Sequence, residues 1–238
     1  INTSILSRSG GSNGIGFAIP ADLVAQFVAQ ARAGNESFER PWAGLSGQIV
    51  TPDMAEGLGL DRPRGLVISQ VHPQSVFAGR LAPGDVVVAV DGEPVNSPAE
   101  MVYRLSLAGI GAEANVTRVR EGATSEIAVT LTAVSETPPR DRRVTGRAAA
   151  LPGVALVTIN PAVIEEFRLP LGATGVLIEE PGPYGARAGL RAGDILREIG
   201  GQPIPDSATA AAALRAVDRV LVLGIVRDGR RLSLRLRL

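Results

Sequence analysis

Apolar residues recur along this chain in short alternating or continuous runs punctuated by Gly, Pro and Asn, a pattern that predicts many short strands and a few amphipathic helices. Residues 1–6 and 15–19 read as strands flanking a Gly/Ser stretch at 7–14. Pro20-Ala21-Asp22 then opens a helix with Leu23, Val24, Phe27, Val28 and Ala31 on one face, stopped at Gly34-Asn35. Next come a strand at 45–50, a helix from Thr51 as cap and Pro52 at its first position to 57–59, and strands at 66–71 and 86–90. A turn at Asp91-Gly92 leads to a helix capped by Ser97 with Pro98 in its first turn, and a hairpin joins 115–120 to 126–131 across Glu121-Gly122. The plan then restarts: a strand at 154–159, a helix from Asn160-Pro161 to Phe167, strands at 176–180 and 195–199, a helix from Asp206 to about Val217, and a hairpin of 220–226 with 232–238 across Asp228-Gly229.

The restart is visible in the residues themselves. Leu81-Ala82-Pro83-Gly84-Asp85-Val86-Val87 returns as Leu190-Arg191-Ala192-Gly193-Asp194-Ile195-Leu196, an offset of 109 residues. The same offset relates Trp42-Ala43-Gly44-Leu45 to Leu151-Pro152-Gly153-Val154, Thr51-Pro52 to Asn160-Pro161, and Leu105 to Leu214. That period exceeds a solenoid repeat and suits a compact domain, so the chain reads as a tandem duplication.

Composition narrows the chemistry. Twenty-four basic residues balance twenty-four acidic ones, which gives no electrostatic reason to expect nucleic acid or an anionic membrane as partner. No cysteine is present, which excludes disulfides, thiol nucleophiles and thiolate metal sites. No apolar run reaches the length of a membrane span. Acids such as Glu165-Glu166 and Glu179-Glu180 lack His or Cys companions at ligand spacing, and Gly10-Gly11-Ser12-Asn13-Gly14 lacks the Lys of a phosphate loop, so neither a metal nor a nucleotide or other cofactor is expected. His72, the one imidazole, sits in His72-Pro73 after a strand and reads as a turn residue. Beginning at Ile1, the chain is expected to be a processed or cut product.

The turn-and-strand element at Trp42-Ala43-Gly44-Leu45, the Leu-x-x-Gly-Asp corners, and a late helix followed by a terminal hairpin resemble PDZ domains in the strand order usual for bacterial ones. The head, Ile1-Asn2-Thr3 through Gly10-Gly11-Ser12-Asn13-Gly14-Ile15-Gly16-Phe17-Ala18-Ile19-Pro20, resembles the end of the protease domain of HtrA/Deg-type serine endopeptidases. The resemblance implies a mainly β fold with some α (α+β): two tandem PDZ domains, each a small partly open β-barrel with two helices, preceded by a remnant of a trypsin-like β-barrel. The expected layout is 1–34 protease remnant, 35–41 linker, 42–134 first PDZ domain, 135–147 linker and 148–238 second PDZ domain. The remnant is expected to dock on a neighbour or be mobile. The catalytic Ser, His and Asp that the family implies are expected upstream of Ile1, so the chain as written is expected to have no catalytic residue and to cleave nothing.

Peptide capture by such a domain needs an amide cradle, a free strand edge and an apolar wall. In the first unit these expectations fall on Trp42, Ala43, Gly44 and Leu45 for the cradle, on Leu45 and Gly47 of the strand, and on Pro98, Val102 and Leu105 of the helix. Small residues at 43 and 47 are expected to leave room for a large terminal side chain. In the second unit they fall on Leu151, Pro152, Gly153, Val154, Leu156, Ser207, Ala211 and Leu214, with Pro152 expected to weaken binding by removing a donor, and Ala210 to Ala213 equally suited to docking another domain. Arg140, Arg142, Arg143 and Arg147 read as a solvated linker. The resemblance further implies a periplasmic quality-control role: binding C-terminal or extended segments of unfolded proteins, and contact with the protease domain or neighbouring subunits. An intact endopeptidase whose catalytic portion is missing here, and an oligomerisation scaffold, are the alternatives.

Overall fold

A computed structural model describes residues 1–5 and 16–237; the Gly/Ser stretch expected to be a loop therefore lies outside the described residues. The chain divides into two compact units, 1–133 and 134–238.

In the first unit β1 (Asn2–Ile5) pairs antiparallel with β2 (Gly16–Ala18), and α1 (Ala21–Arg32) follows. The main sheet runs in the order β3 (Leu45–Ile49), β4 (Leu66–Val71), β5 (Val86–Val90), β7 (Glu113–Arg120), β8 (Ala123–Thr130), with β6 (Glu93–Pro94) beside β5. Helices α2 (Pro52–Gly57) and α3 (Pro98–Ala108) complete it. Alternation along β7 and β8 turns Ala114, Val116, Ile127 and Val129 inward, where they meet Ile68, Phe77, Val87 and the α3 residues Met101 and Leu105. Burying these side chains is the main stabilising term, about 1.5–3 kcal/mol for each large one.

Capping follows the sequence at α3 and departs from it at α2. Ser97 Oγ accepts from the Glu100 amide, and the Glu100 carboxylate accepts from the Asn96 amide. Thr51, expected as a cap, makes no side-chain bond to its helix. There, Pro52 presets the first turn and the Thr51 carbonyl already accepts from Met54 and Ala55.

α1 lies beside α3, with Gln26 Nε2 donating to the Leu107 carbonyl. Its apolar stripe is not buried as the periodicity predicted: no α1 residue is buried, and Phe27 is 53% exposed. The expected linker at 35–41 is tied back to α1 by a reciprocal pair of bonds between the Gln30 amide group and the Glu39 backbone.

The second unit repeats the plan with β10 (Ala155–Thr158), α4 (Pro161–Glu166), β11 (Val176–Glu180), β12 (Ile195–Ile199), β13 (Gln202–Pro203), α6 (Ser207–Arg215), β14 (Val220–Arg227) and β15 (Arg230–Arg237). It adds α5 (Gly182–Arg187) and, before β10, β9 (Arg143–Val144), so its sheet runs β15-β14-β12-β11-β10-β9. Asn160 and Asp206 cap α4 and α6 through Val163 N and Thr209 N, as the sequence suggested. The run at 135–147, expected to be a solvated linker, is instead built into this unit. The Ser135 carbonyl accepts from Ala162 N, Glu136 accepts from Asn160 Nδ2, and β9 occupies the border of the sheet. An unpaired strand edge is a template for the nearest extended segment, and this one lies immediately upstream in the chain.

Candidate peptide-binding site

In the first unit β3 is the last strand of its sheet, so its outer edge is unpaired among the described residues. At its entry the chain turns through Gly44, whose φ of +59° is one that side-chain-bearing residues rarely adopt. The turn is pinned by its carbonyls. Ser75 Oγ donates to the Ala43 carbonyl at 2.5 Å, and the His72 amide donates to the Gly44 carbonyl at 2.8 Å. Because each peptide unit is planar and trans, the Gly44 and Leu45 N–H groups point away from those partners, toward the open edge. Of the expected donors, Gly44 and Leu45 thus have their N–H groups turned away from the pinning groups. Trp42, expected to add a third, spends its N–H on the Thr132 carbonyl. The residue is 7% exposed, and its ring sits beneath the turn, where a Cβ on Gly44 would come within 2.9 Å of it.

His72 is the turn residue that the sequence suggested, with a second duty. Its Nδ1 accepts from the Gln74 amide and its ring stands edge-on to Trp42 at 5.2 Å, so the imidazole buttresses the turn. Burial pushes its pKa below the ordinary value.

The wall residues separate into two roles. Pro98 and Val102 line an open concavity of about 370 Å³ with Ala99, Tyr103 and Ser106 of α3, Leu23 of α1 and Arg40. Leu105, one turn on, is 1% exposed and belongs to the core below. Gly47 does not serve by enlarging a pocket: a Cβ there would meet the Val67 carbonyl at 2.6 Å, at the β3/β4 irregularity after Ser46. Its smallness lets two backbones approach. Arg40 was not anticipated, although a cation just before the cradle turn was a readable signal.

The second unit holds the corresponding residues in corresponding places. Gly153 has φ +79°, Leu156 and Ser207 are fully buried, Leu214 is in the core, and Ala211 lines a concavity of about 420 Å³. Pro152 has no N–H, and the amides that correspond to those of Gly44 and Leu45 are those of Gly153 and Val154 after it. The difference lies at the edge, which β9 covers: Ala155 is paired with Val144 and Leu156 with Arg143. Both cradle amides are also taken, Gly153 N by the Thr145 carbonyl at 2.9 Å and Val154 N by Thr145 Oγ1 at 2.8 Å.

Electrostatics at the repeated Gly-Asp corners hold each unit's hairpin to its sheet. Asp85, 2% exposed, accepts from Arg120 Nε at 2.5 Å, Arg120 Nη2 at 2.7 Å and the Ala82 amide at 2.8 Å. Burial alone would raise its pKa, but these bonds and the Arg120 and Arg118 charges hold the carboxyl below the usual range. Asp194 is clasped in the same way by Arg227. Among the described residues no cluster of His, Asp and Glu could hold a metal ion, and no helix is long and apolar enough to cross a membrane.

Comparison with known proteins finds relatives of both units. The PDZ domain family matches residues 36–131 through one profile and 179–227 through a second. A probable periplasmic serine endoprotease DegP-like from Pseudomonas fluorescens is 30% identical over 97% of this chain and 49% of its own length. Its counterpart from Halomonas elongata is 32% identical over 100% and 50%. The periplasmic pH-dependent serine endoprotease DegQ of Escherichia coli is 30% identical over 100% and 50%. Among solved structures, the HtrA-type protease AlgW with decapeptide shares 32% identity over 58% of this chain and 42% of that one, with a TM-score of 0.41. The chain thus spans about half the length of the curated relatives it matches, and it shares their periplasmic localisation. It carries two PDZ domains and belongs to the HtrA-type family.

Proposed function

We propose that the first unit captures the C-terminal or extended segments of unfolded polypeptides for an HtrA-type serine endopeptidase, and that the chain serves that enzyme as a recruiting and regulatory part. The observation that carries this reading is the entry to β3, an unpaired edge with two amides turned away from the groups that pin their neighbouring carbonyls; α3 packs near that strand and, on the side toward α1, borders an apolar concavity. An incoming strand would pair with β3, place its terminal carboxylate on Gly44 N and Leu45 N, and lay side chains toward Pro98 and Val102. Arg40 adds a guanidinium to that concavity. Trp42 and His72 position the cradle without touching the ligand. Leu151, Pro152, Gly153, Val154, Leu156, Ser207, Ala211 and Leu214 form the matching groove of the second unit.

The test is calorimetric titration of the chain with peptides ending in a large apolar residue, each as free acid and as amide. The free acid should bind and its amide should bind at least ~10-fold more weakly, about 1.4 kcal/mol for the lost carboxylate. Equal binding of acid and amide would remove the cradle from the account, and no binding of either would end it.

A further inference from the structure

The second groove is not empty. Residues 140–145 run along it antiparallel to β10, in the direction that an incoming C-terminal strand would take. The Arg140 carbonyl accepts from Thr158 N at 2.7 Å, β9 pairs with Ala155 and Leu156, and Thr145 N donates to the Val154 carbonyl at 2.9 Å. At the cradle Thr145 imitates a carboxylate. Its carbonyl and hydroxyl oxygens each accept one of the two amides that the first unit leaves facing outward, and the same hydroxyl donates to the Leu151 carbonyl. At the other end Ser207, the first residue of α6 and fully buried, donates from Oγ to the Asp141 carbonyl at 2.6 Å. Ion pairs fix the flanks. Arg140 reaches Glu136 and Glu166, and Arg142 reaches Glu179 and Glu180.

We propose that residues 140–145 are a built-in ligand of the second unit, which holds its β10/α6 groove shut against the ends of other chains and recognises an internal strand in which a threonine takes the place of the terminal carboxylate. This rests on reading the groove as a strand-addition site, as in the first unit, but assigns its occupant to this chain itself. The consequence is quantitative. A tethered segment of micromolar intrinsic affinity, present at an effective concentration in the millimolar range, would make any external peptide bind roughly 100-fold or more weakly than to the open groove. Opening the groove requires pulling the segment out as a whole, since cradle, edge and helix contacts all belong to one short strand.

The experiment uses the full chain and a labelled peptide of residues 139–147, acetylated and amidated so that it carries no terminal carboxylate. In one protein residues 140–145 are replaced by alternating Gly and Ser; the other is unmodified. The replaced protein should bind the peptide at least ~10-fold more tightly than the unmodified one. Equal binding to both, or none to a replaced protein that retains its folded spectrum, overturns the proposal. The first unit is identical in the two proteins, and its own binding of free-acid peptides is read separately through Trp42, so failure here and failure of the first-unit reading are distinguishable. Should the replaced protein not fold, hydrogen exchange on the unmodified chain decides. Amides of Gly153, Val154 and Thr158 should exchange at least ~10-fold more slowly than those of Gly44 and Leu45, as expected for bonded against free N–H groups. Equal exchange overturns the inference.

Discussion

Gly44 shows how one residue can carry a site through its backbone alone. At φ +59° a β-carbon costs roughly 1–2 kcal/mol in backbone strain, and here it would also press on the Trp42 ring and on Ser75 Cβ. Gly44→Ala should therefore lower the stability of the first unit by about 2 kcal/mol and weaken free-acid peptide binding by more than ~10-fold, because the turn that aims the amides must deform. Urea unfolding and peptide titration on the same protein check the two effects; intact binding at reduced stability would show that the cradle tolerates the shift. The importance of this glycine was legible in the sequence because it recurs as Gly153. The duties of its neighbours were not. Trp42 was read as an amide donor, yet its N–H closes on Thr132, a residue far along the chain, and no local pattern encodes that pairing. Gly47 was read as pocket space because smallness in a sequence does not say toward what a residue is small.

At the level of elements, the longer strands and helices were legible, because alternation, Pro at first helical positions and Asp-Gly or Glu-Gly turns are local signals; the two-residue strands β6 and β13 and the short α5, a third helix where two were expected, carry no such pattern. What escaped was pairing. β9 has only Arg143 and Val144 in the sheet, and Val144 is 56% exposed, so nothing in its hydrophobic pattern announces a strand; a run rich in Arg and Pro reads as a linker. The Glu179 and Glu180 partners of Arg142, just before β9, lie on β11, which folding alone brings near. Capping offers a contrast between what sequence suggests and what geometry supplies. Asn160 Oδ1 caps α4 while its Nδ2 donates to Glu136 and to the Pro138 carbonyl, whereas Thr51 makes no capping bond. Asn160→Ala should cost about 2 kcal/mol, the upper end for a cap, and Thr51→Ala less than about 0.5 kcal/mol. Equal losses in chemical denaturation would mean that Thr51 caps in solution after all.

Across the whole molecule the duplicated plan has diverged at the edge strand while keeping the Gly-Asp corner, and each unit draws its core from its own residues. The single Trp lies in the first unit, so its emission follows that unit alone. Asp85 makes the first unit's response to acid predictable. Its carboxyl is held below the usual range when folded, so the bond contributes stability that is fully present above the unfolded value of about 4 and is lost as pH falls through the folded value. The urea midpoint seen by Trp42 should begin to fall below about pH 6.5, where unfolding lets the buried His72 take up a proton, and should decline further below about pH 4 as Asp85 is protonated. Asp85→Asn should lower that midpoint at pH 7 by the equivalent of about 3 kcal/mol, since Arg120 and the Ala82 amide lose a buried anionic partner, and it should flatten the acid decline. The transition of the second unit, followed by circular dichroism once Trp42 has unfolded or before it does, should stay where it was, because its corner is closed by Asp194 and Arg227. A matching shift in both transitions would mean that the two units unfold as one cooperative body, and the duplicated domain would then be a single thermodynamic unit rather than a pair.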